Sequence, residues 1–366
     1  MRLTLVISSL GCGGAERVLT TIASGLLSRG YEVTVITQFG KEYDFYQLPQ
    51  GVNRIALEVN KQSQNIFDGL RNNIRRLAIL RRAISRTNPD VVISFIASGN
   101  ILTLISLIGK RYPVVVTEHC DQKFNYLGKP WKILRRLVYP WATKVISVSE
   151  GVESYFAWLS ENKKQVIYNP FIIPETTVIS DPLPLEVNYE AKWITSMGRL
   201  THKKGFDILL KAFSKIANNY PSWQVLILGN GKLRTKLEKL RDDLDLTEKV
   251  IFTGAVKNPF AILKKSQFFV MSSRIEGFPM AHGEALTCGL PVISTDCPSG
   301  PKEIIRDGID GILVPNEDIN ALANAMEKLM SDCQERNRLA NNSLDIINRF
   351  GLSKIIDDWE ILFNKL

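Results

Sequence analysis

Residues 3–28 read LTLVISSLGCGGAERVLTTIASGLLS, and this stretch indicates the architecture of the first half of the chain. Leu3–Ser8 is a continuous apolar run with the length of a buried strand. A glycine-rich loop follows it, and Ala15–Ser28 has the pattern of a helix. We therefore predict a strand, a glycine loop and a helix at this end of the chain, and not a signal peptide.

The same alternation of short apolar runs and helical patterns continues along the chain. A stretch from Pro174 to Glu190 interrupts it with three prolines and few periodic apolar residues, and residues 176–190 are the predicted linker. Repeated alternation of strand and helix predicts an α/β fold with two doubly wound parallel sheets. The predicted strands are Leu3–Ser8, Glu32–Thr37, Val91–Phe95, Val114–Thr117 and Lys144–Val148 before the linker, and residues 193–197, Val225–Leu228, Val250–Phe252, Phe268–Met271, Val292–Ser294 and Ile312–Val314 after it.

One uncharged segment, Val91–Gly109, approaches the length of a transmembrane helix. Its serine, glycine and asparagine residues divide it into a strand and a following helix, so we predict buried structure and not a membrane span. The five cysteines are scattered and show no metal-ligand spacing. This pattern predicts a protein of a reducing compartment without structural zinc.

The positive charge of the chain lies in its first half. Residues 1–180 contain 22 Lys and Arg against 13 Asp and Glu, whereas residues 181–366 contain 24 of each class. Two basic segments stand out: Arg71–Arg86 mixes arginines with a helical stripe of Leu and Ile, and Lys129–Trp141 interleaves cations with aromatic residues. Such segments are typical of an anionic membrane interface, and a solvated helix face is the alternative. No motif for reading nucleic acid accompanies them.

Two loops of the second half place charged residues at the ends of predicted strands. Arg199 and Lys204 follow the strand at 193–197, and such cations stabilise the charge of a diphosphate and of a diphosphate leaving group. Glu276 and Glu284 flank a loop that contains glycine and proline, and a predicted helix begins at Glu284. A carboxylate accepts hydroxyl hydrogen bonds, which suits it to a ribose or a pyranose ring.

Taken in chain order, these motifs resemble the retaining GT-B glycosyltransferases of family 4. The resemblance runs nearly the full length of the chain and implies two Rossmann-like domains that face each other across a cleft. Residues 1–175 would form the acceptor-side domain and residues 191–345 the donor-binding domain, while the helix at 346–366 would pack back on the first domain. The motifs that carry the resemblance are Gly13–Arg17, Gly198–Leu200, Lys204-Gly205, Glu276 with Glu284, Cys288–Val292, Asp296–Ile304 and Gly308–Val314.

The resemblance also implies roles for single residues. Arg199 and Lys204 would clamp the donor diphosphate and act in catalysis. Glu276 would hold hydroxyls of the transferred sugar, and Glu284 would bind the hydroxyls of the nucleotide ribose. The further nucleotide-sugar contacts that the resemblance implies are the loop at Gly13 and Gly14, the backbone near Phe278, Met280 and Ala281, and the residues Val256 to Asn258 beside the base.

Histidines and one acidic pair need separate interpretation. His119 follows the strand at Val114–Thr117, and the resemblance implies a catalytic contact with the donor sugar or the acceptor; a hydrogen-bonded histidine at a strand end is the alternative. His282 and Gly283 depart from the aliphatic residues usual between the two glutamates, which affects the sugar subsite. Asp243-Leu244-Asp245 matches a metal-binding motif of another glycosyltransferase fold, but we predict a solvated helix end, so no metal or other cofactor is expected.

The implied activity is metal-independent transfer of a hexose or N-acetylhexosamine from a nucleotide-diphosphate sugar, and a UDP-sugar is the expected donor. The implied acceptor is a membrane-borne glycolipid or polyprenyl-diphosphate saccharide, used at the cytoplasmic face of the membrane in bacterial cell-surface polysaccharide assembly. Two alternatives remain. One is a nucleotide-sugar epimerase of similar fold, and the other is a non-catalytic, membrane-associated binding protein.

Overall fold

The computed structural model of the chain describes residues 1–59, 66–120, 128–175 and 182–366, and only the backbone of residues 66–70. Residues 176–181 of the predicted linker and Asp121 beside His119 lie outside the described residues. The strands are β1 (Arg2–Ile7), β2 (Glu32–Thr37), β3 (Asn53–Ala56), β4 (Val91–Phe95), β5 (Val114–Glu118), β6 (Lys144–Ser147), β7 (Lys164–Val166), β8 (Lys192–Met197), β9 (Trp223–Leu228), β10 (Val250–Gly254), β11 (Phe268–Met271), β12 (Val292–Asp296) and β13 (Gly311–Pro315).

Most helices connect successive strands, the last four follow the final strand, and a short 3-10 helix spans His202–Lys204. The α-helices are α1 (Gly14–Ser28), α2 (Ile66–Thr87), α3 (Ala97–Ser106), α4 (Lys129–Val138), α5 (Glu150–Glu153), α6 (Phe206–Ser214), α7 (Arg234–Asp243), α8 (Phe260–Lys265), α9 (Met280–Thr287), α10 (Pro301–Ile304), α11 (Ile319–Ser331), α12 (Cys333–Ala340), α13 (Ile346–Phe350) and α14 (Leu352–Phe363).

The strands form two parallel sheets, one in each of two compact units. The first unit comprises Met1–Pro170 and Leu352–Leu366, and its described strands are ordered β3-β2-β1-β4-β5-β6-β7. The second unit comprises Phe171–Gly351, with the strand order β10-β9-β8-β11-β12-β13. In both sheets the chain runs outward from a central strand in one direction and then returns to run in the other. This doubly wound order confirms the predicted fold class of two Rossmann-like domains.

Both sheets are buried on both faces, which explains why their strands read as continuous apolar runs. Consecutive residues of β1 are fully buried, as Leu5, Val6 and Ile7 show. In the second unit one large apolar cluster includes residues of α6 and α11 together with strand residues. A smaller cluster around Trp193 and Leu226 lies elsewhere in the same unit.

The two units divide the chain near the predicted boundaries, with three differences. Phe171 already belongs to the second unit, where its backbone N–H donates to the carbonyl of Phe350 at 2.8 Å. Val187, within the predicted linker, is buried in an apolar cluster with Trp193. The predicted terminal helix at 346–366 is two helices, because α13 belongs to the second unit and α14 to the first.

Helix α14 packs on α1 within the first unit. Ile355, Ile356 and Trp359 are buried on one face of α14. A Cβ atom at Gly25 of α1 would lie 2.7 Å from Ile356 Cγ1, so the absence of a side chain there permits the close approach of the helices. At the rim, Arg29 forms ion pairs with Asp357 at 2.6 Å and with Glu360 at 3.1 Å.

The short strands β3 and β7 are absent from the sequence prediction. Both are edge strands whose residues are half-buried or exposed, so neither presents the apolar run that marks the central strands. The uncharged segment Val91–Gly109 is β4 followed by α3, as predicted. Within the described residues no helix combines the length and the apolar character that crossing a bilayer requires.

Candidate active site

The second unit carries charged side chains where its strand order reverses. From β8 the chain moves to β9 and β10, whereas β11 lies on the other side of β8 and leads to β12 and β13. The loops that leave β8 and β11 therefore diverge and open a crevice at the carboxyl ends of these strands, which is where ligands bind in such sheets. Residues 198–205 follow β8, and residues 272–276 follow β11.

The loop after β8 approaches the backbone at the end of β11 closely. Gly205 adopts a left-handed conformation with φ of 61°, and a Cβ atom there would lie 1.9 Å from the carbonyl oxygen of Ser272. Only glycine fits this position. The turn places Lys204 at the end of the 3-10 helix, separated from the start of α6 by Gly205, while Arg199 is exposed nearer the strand.

Lys204 and Glu276 form an ion pair across the crevice. Lys204 Nζ lies 2.6 Å from Glu276 Oε1, and the side chains are 23% and 9% exposed, respectively. The hydroxyl of Ser273 donates to the same Oε1 at 2.6 Å. The structure therefore brings together the cation predicted for the diphosphate and the carboxylate predicted for the sugar.

Arg274 anchors this loop, although the sequence analysis did not single it out. Its guanidinium binds both carboxylate oxygens of Asp207, at 2.8 and 2.7 Å, and pairs with Glu317 at 2.6 Å. It also donates to the carbonyl of His202 at 3.0 Å. Burial raises the pKa of Asp207, but hydrogen bonds and charge from Arg274 outweigh burial, and the pKa lies below its ordinary value. No sequence pattern marks this contact, because an acidic residue such as Asp207 in the first turn of a helix is equally typical of a solvated helix start.

Helix α9 begins earlier than predicted and contains Glu284 in its middle. The sequence analysis started the helix at Glu284, but the turn after Pro279 already starts it at Met280. Met280 and Ala281 are half-buried. Because they occupy the first turn of the helix, their backbone amides lie at the positive end of the helix dipole. Glu284 is buried two turns or less from that end.

The side chain of Phe278 has a packing role. It is buried, stacks on Phe171 with ring centroids 5.9 Å apart, and meets Phe350 edge-on at 5.5 Å. Phe171 also covers Gly283, where a Cβ atom would lie 2.1 Å from the ring. The unusual glycine between the two glutamates is therefore required by an aromatic side chain packed on α9.

His282 lies in the core between α9 and the sheet, fully buried. The Ser294 hydroxyl donates to the carbonyl of Thr295 at 3.1 Å, so it accepts from His282 Nε2–H at 2.6 Å. The other ring nitrogen, Nδ1, is buried and makes no hydrogen bond within the described part of the chain. Burial, helped by the charge of Lys204, lowers the pKa of His282 to about 3. The expected effect of His282 on the sugar subsite is thus not a direct one, since this neutral ring faces the core.

The residues predicted beside the base lie further along the same edge of the sheet. Val256 packs against the small apolar cluster around Trp193, and Asn258 accepts from the backbone N–H of Phe260 at 3.3 Å, where α8 begins. They follow β10, which is separated from β8 by β9. Two strand spacings of about 4.8 Å place this segment roughly 10 Å from the strand that leads to Lys204.

In the first unit, Gly13 and Gly14 lie where the loop after β1 becomes α1. Gly13 is the N-cap in an extended conformation and Gly14 is exposed. A Cβ atom at Gly13 would lie 2.3 Å from a carboxylate oxygen of Glu16, so an acidic side chain of the first turn already covers this helix end. A phosphate at this loop would have to displace that carboxylate.

His119 follows β5 as predicted, and its protonation is set by its neighbours. The Thr117 hydroxyl donates to the carbonyl of Ser94 at 3.0 Å and so accepts from His119 Nε2–H at 2.9 Å. The ring stacks on Phe95 with centroids 5.5 Å apart. One edge stays partly exposed, yet the surrounding protein excludes enough water to lower the pKa to about 4. His119 is therefore neutral near pH 7, and Nδ1 is a hydrogen-bond acceptor.

A buried polar network supports His119 and was not predicted. Tyr139 donates to Glu118, and Asn100 donates to the Tyr139 hydroxyl at 3.2 Å and to the carbonyl of Thr117 at 2.8 Å. Burial raises the pKa of Tyr139 well above its ordinary value, and the charge of Glu118 adds to the effect. No sequence pattern marks this network, because its members come from β5, α3 and the turn after α4.

Each of the two basic segments predicted at the membrane interface contains one cation whose side chain is engaged within the first unit. Arg135, predicted at the interface, is buried, with its guanidinium over the rings of Tyr155 at 5.3 Å and Phe156 at 5.6 Å. Arg81 donates to carbonyls at the end of α3, those of Ser106 at 3.1 Å and Ile108 at 2.7 Å. Both cations therefore have structural roles. Asp243 and Asp245 are exposed at the end of α7, as predicted for a solvated helix end.

Comparison with known families agrees with this architecture. Residues 12–172 match the family model described as Glycosyltransferase Family 4, and residues 184–345 match that described as Glycosyl transferases group 1. The chain is a family 4 glycosyltransferase. It is accordingly a transferase with the GT-B fold, as the sequence predicted, and the epimerase and the non-catalytic protein are excluded.

Sequence similarity to known glycosyltransferases extends over nearly the whole chain. It is 29% identical to the GalNAc-alpha-(1->4)-GalNAc-alpha-(1->3)-diNAcBac-PP-undecaprenol alpha-1,4-N-acetyl-D-galactosaminyltransferase of Campylobacter jejuni, over 98% of this chain and 97% of that one. It is 36% identical to an uncharacterized glycosyltransferase of Methanocaldococcus jannaschii, over 90% and 94%. Among solved structures, HepE of Anabaena in complex with UDP and glucose superposes with a TM-score of 0.81 at 18% identity, over 100% of both chains. That likeness shows the shared fold.

Proposed function

We propose that this glycosyltransferase transfers a hexose or N-acetylhexosamine from a UDP-sugar to a polyprenyl-diphosphate-linked saccharide. The observation that carries the proposal is the pairing of Lys204 with Glu276 at the switch point of the second sheet. Two C. jejuni relatives, 29% and 28% identical, are named for transferring N-acetylgalactosamine to undecaprenyl-diphosphate-linked saccharides. A solved neighbour of the same fold carries UDP-glucose.

The arrangement of the second unit supports a defined position for each part of the donor. Arg199 and Lys204 would bind the diphosphate, and their charge would stabilise the leaving UDP. Glu276, paired with Lys204, would then accept hydroxyls of the attached sugar. The edge near Val256, roughly 10 Å along the sheet, suits a base that the ribose separates from the diphosphate.

His119 would contribute from the first unit as a hydrogen-bond acceptor. Its Nε2–H is committed to Thr117, so only the Nδ1 lone pair is available to a substrate hydroxyl. A pKa of about 4 keeps that lone pair free of a proton across the physiological range. The ring would therefore orient a sugar hydroxyl or accept its proton, and it would not act as a cation toward phosphate.

The reaction is proposed to need no metal ion. Arg199 and Lys204 supply positive charge in the second-unit loop where a divalent ion would otherwise neutralise the diphosphate. The proposal rests on these cations, and its test is activity in the presence of a chelator.

The first unit also has a surface suited to an anionic membrane. Large apolar side chains project from α4 and the turn after it: Ile133 is 62% exposed, Leu137 61% and Trp141 56%. Positions 133 and 137 are four residues apart on α4 and share one side, and Trp141 ends the 3-10 helix that follows α4. Lys129, Lys132 and Arg136 are exposed among them. We propose that this α4 surface docks reversibly on the cytoplasmic face of the membrane, where a polyprenyl acceptor resides.

Transfer is tested directly with purified protein. UDP-N-acetylgalactosamine and UDP-glucose are each incubated with an undecaprenyl-diphosphate-linked saccharide, and UDP release and product mass are followed. Lys204→Ala should lower the rate about a hundredfold, because it removes a cation from the leaving group. Lys211→Ala, which removes an exposed cation from α6, is the matched control and should keep its rate. Equal rates for the two variants would contradict the proposed diphosphate site.

A further inference from the structure

Glu276 reaches its position through hydrogen bonds that leave one carboxylate oxygen available. Oε1 receives both Lys204 Nζ and the hydroxyl of Ser273, each at 2.6 Å. Among the described residues no hydrogen bond to Oε2 is found. The Glu276 side chain is only 9% exposed, so the carboxylate is largely enclosed while Oε2 keeps its capacity to accept hydrogen bonds.

Ser273 is itself fixed by the neighbouring strand. It is 1% exposed and lies two residues beyond β11. The hydroxyl of Thr295, on β12, donates to its backbone carbonyl. The backbone of Ser273 is thus fixed to the sheet, and its hydroxyl donates to Glu276, which lies three residues later in the sequence.

The two hydrogen bonds that Glu276 Oε1 accepts respond differently when a nucleotide sugar binds. Lys204 is the cation proposed for the diphosphate, so a bound nucleotide sugar competes with Glu276 for its ammonium group. Ser273 carries no charge and has no such competing partner. Its hydrogen bond is therefore the one that continues to orient the carboxylate once Lys204 engages phosphate.

We infer that Ser273 is a positioning residue for transfer: it holds Glu276 Oε1 so that Oε2 is presented to the hydroxyls of the sugar being transferred. The inference rests on the proposed role of Glu276. Ser273 does not contact substrate in this account, and its effect passes entirely through the carboxylate. UDP, which lacks the sugar, should bind independently of Ser273.

The test compares Ser273→Ala with a matched buried serine. Ser196 lies in β8 of the same sheet, and its hydroxyl is buried without a hydrogen-bond partner among the described residues. Ser196→Ala therefore removes a buried hydroxyl, as Ser273→Ala does, but it breaks no hydrogen bond. Ser273→Thr keeps the hydroxyl. Glu276→Gln reports on the carboxylate itself.

With UDP-N-acetylgalactosamine as donor, and UDP-glucose in parallel, Ser273→Ala should reduce kcat/KM about tenfold, as expected for a lost hydrogen bond to a charged group. The affinity for UDP in calorimetry should stay within about twofold, and Ser273→Thr should recover most of the rate. If Ser273→Ala has normal kcat/KM while Glu276→Gln is inactive, the inference about Ser273 is overturned and the proposed sugar site is not. A fall in UDP affinity in Ser273→Ala, absent from Ser196→Ala, would also overturn the inference. Full activity of Glu276→Gln would instead refute the proposed sugar site.

Discussion

Acid should destabilise the second unit through His282, and His282→Leu should remove the effect. The imidazole is fully buried, and burial holds its pKa at about 3 against an ordinary value of 6.5. Below about pH 6.5 the His282 ring is therefore protonated in the unfolded chain, whereas in the folded unit it stays neutral down to about pH 3. Stability contributed by the neutral ring is complete above this range and is lost as the pH falls through it.

The size of the loss follows from the two pKa values. At pH 5 the ring is mostly protonated in the unfolded chain and neutral in the folded one, which lowers the free energy of unfolding by about 2 kcal/mol relative to neutral pH. Below pH 3 the loss would approach about 5 kcal/mol. In His282→Leu, the Ser294 hydroxyl keeps the carbonyl of Thr295 as its acceptor, so no new unsatisfied donor arises. The unpartnered Nδ1 is also removed.

Urea unfolding at pH 7, 6 and 5 measures the difference, with hydrogen exchange of peptides from α9 and β12 assigning it to the second unit. Wild type should lose about 2 kcal/mol more than His282→Leu between pH 7 and pH 5. The exposed His202 provides a control, since His202→Gln should follow wild type. Parallel curves for wild type and His282→Leu would refute the reasoning.

Other predictions concern packing, the loop, the metal and the membrane. Gly283→Ala should cost about 2 kcal/mol of stability, measured by thermal unfolding, because its methyl group would overlap the Phe171 ring; an unchanged Tm would contradict that packing. Arg274→Lys should raise the donor KM several-fold by losing the two-pronged bond to Asp207, and unaltered kinetics would show that the loop does not depend on it. Activity should persist in EDTA, whereas complete loss with recovery on adding manganese would oppose a metal-free mechanism. Ile133→Ser combined with Leu137→Ser should reduce flotation with anionic liposomes while UDP binding continues; equal flotation would exclude the α4 surface.

The fold was predictable because it depends on local patterns. Buried parallel strands give apolar runs, and glycine loops with helical periodicity follow them, so the order of strands and helices was visible without tertiary information. The edge strands β3 and β7 escaped prediction because half-buried residues carry no such pattern. The start of α9 was misplaced because the glycine and proline before Met280 obscured where helical periodicity begins.

The candidate site was predictable where its residues end neighbouring strands. Lys204 and Glu276 could be expected to meet because parallel strands deliver their following loops to one edge. Residues that act through distant contacts could not be foreseen. Arg135 has the same sequence context as the exposed Arg136, and only the fold reveals that aromatic rings cover it. Arg274 likewise shows its role only when Asp207 and Glu317 are brought beside it.

The ion pair between Lys204 and Glu276 also bears on which cellular anions can occupy the crevice. A lysine whose charge is already balanced by a carboxylate does not attract every phosphate that diffuses past. If inorganic phosphate binds the ammonium group of Lys204, Glu276 loses its counter-ion while it stays largely buried. That exchange is unfavourable. In the proposed binding mode a sugar diphosphate would replace both halves of the pair at once, because its phosphate would pair with Lys204 and a sugar hydroxyl would bind Glu276. Discrimination against abundant phosphates would then arise from what the ligand returns to the protein and not only from its own charge.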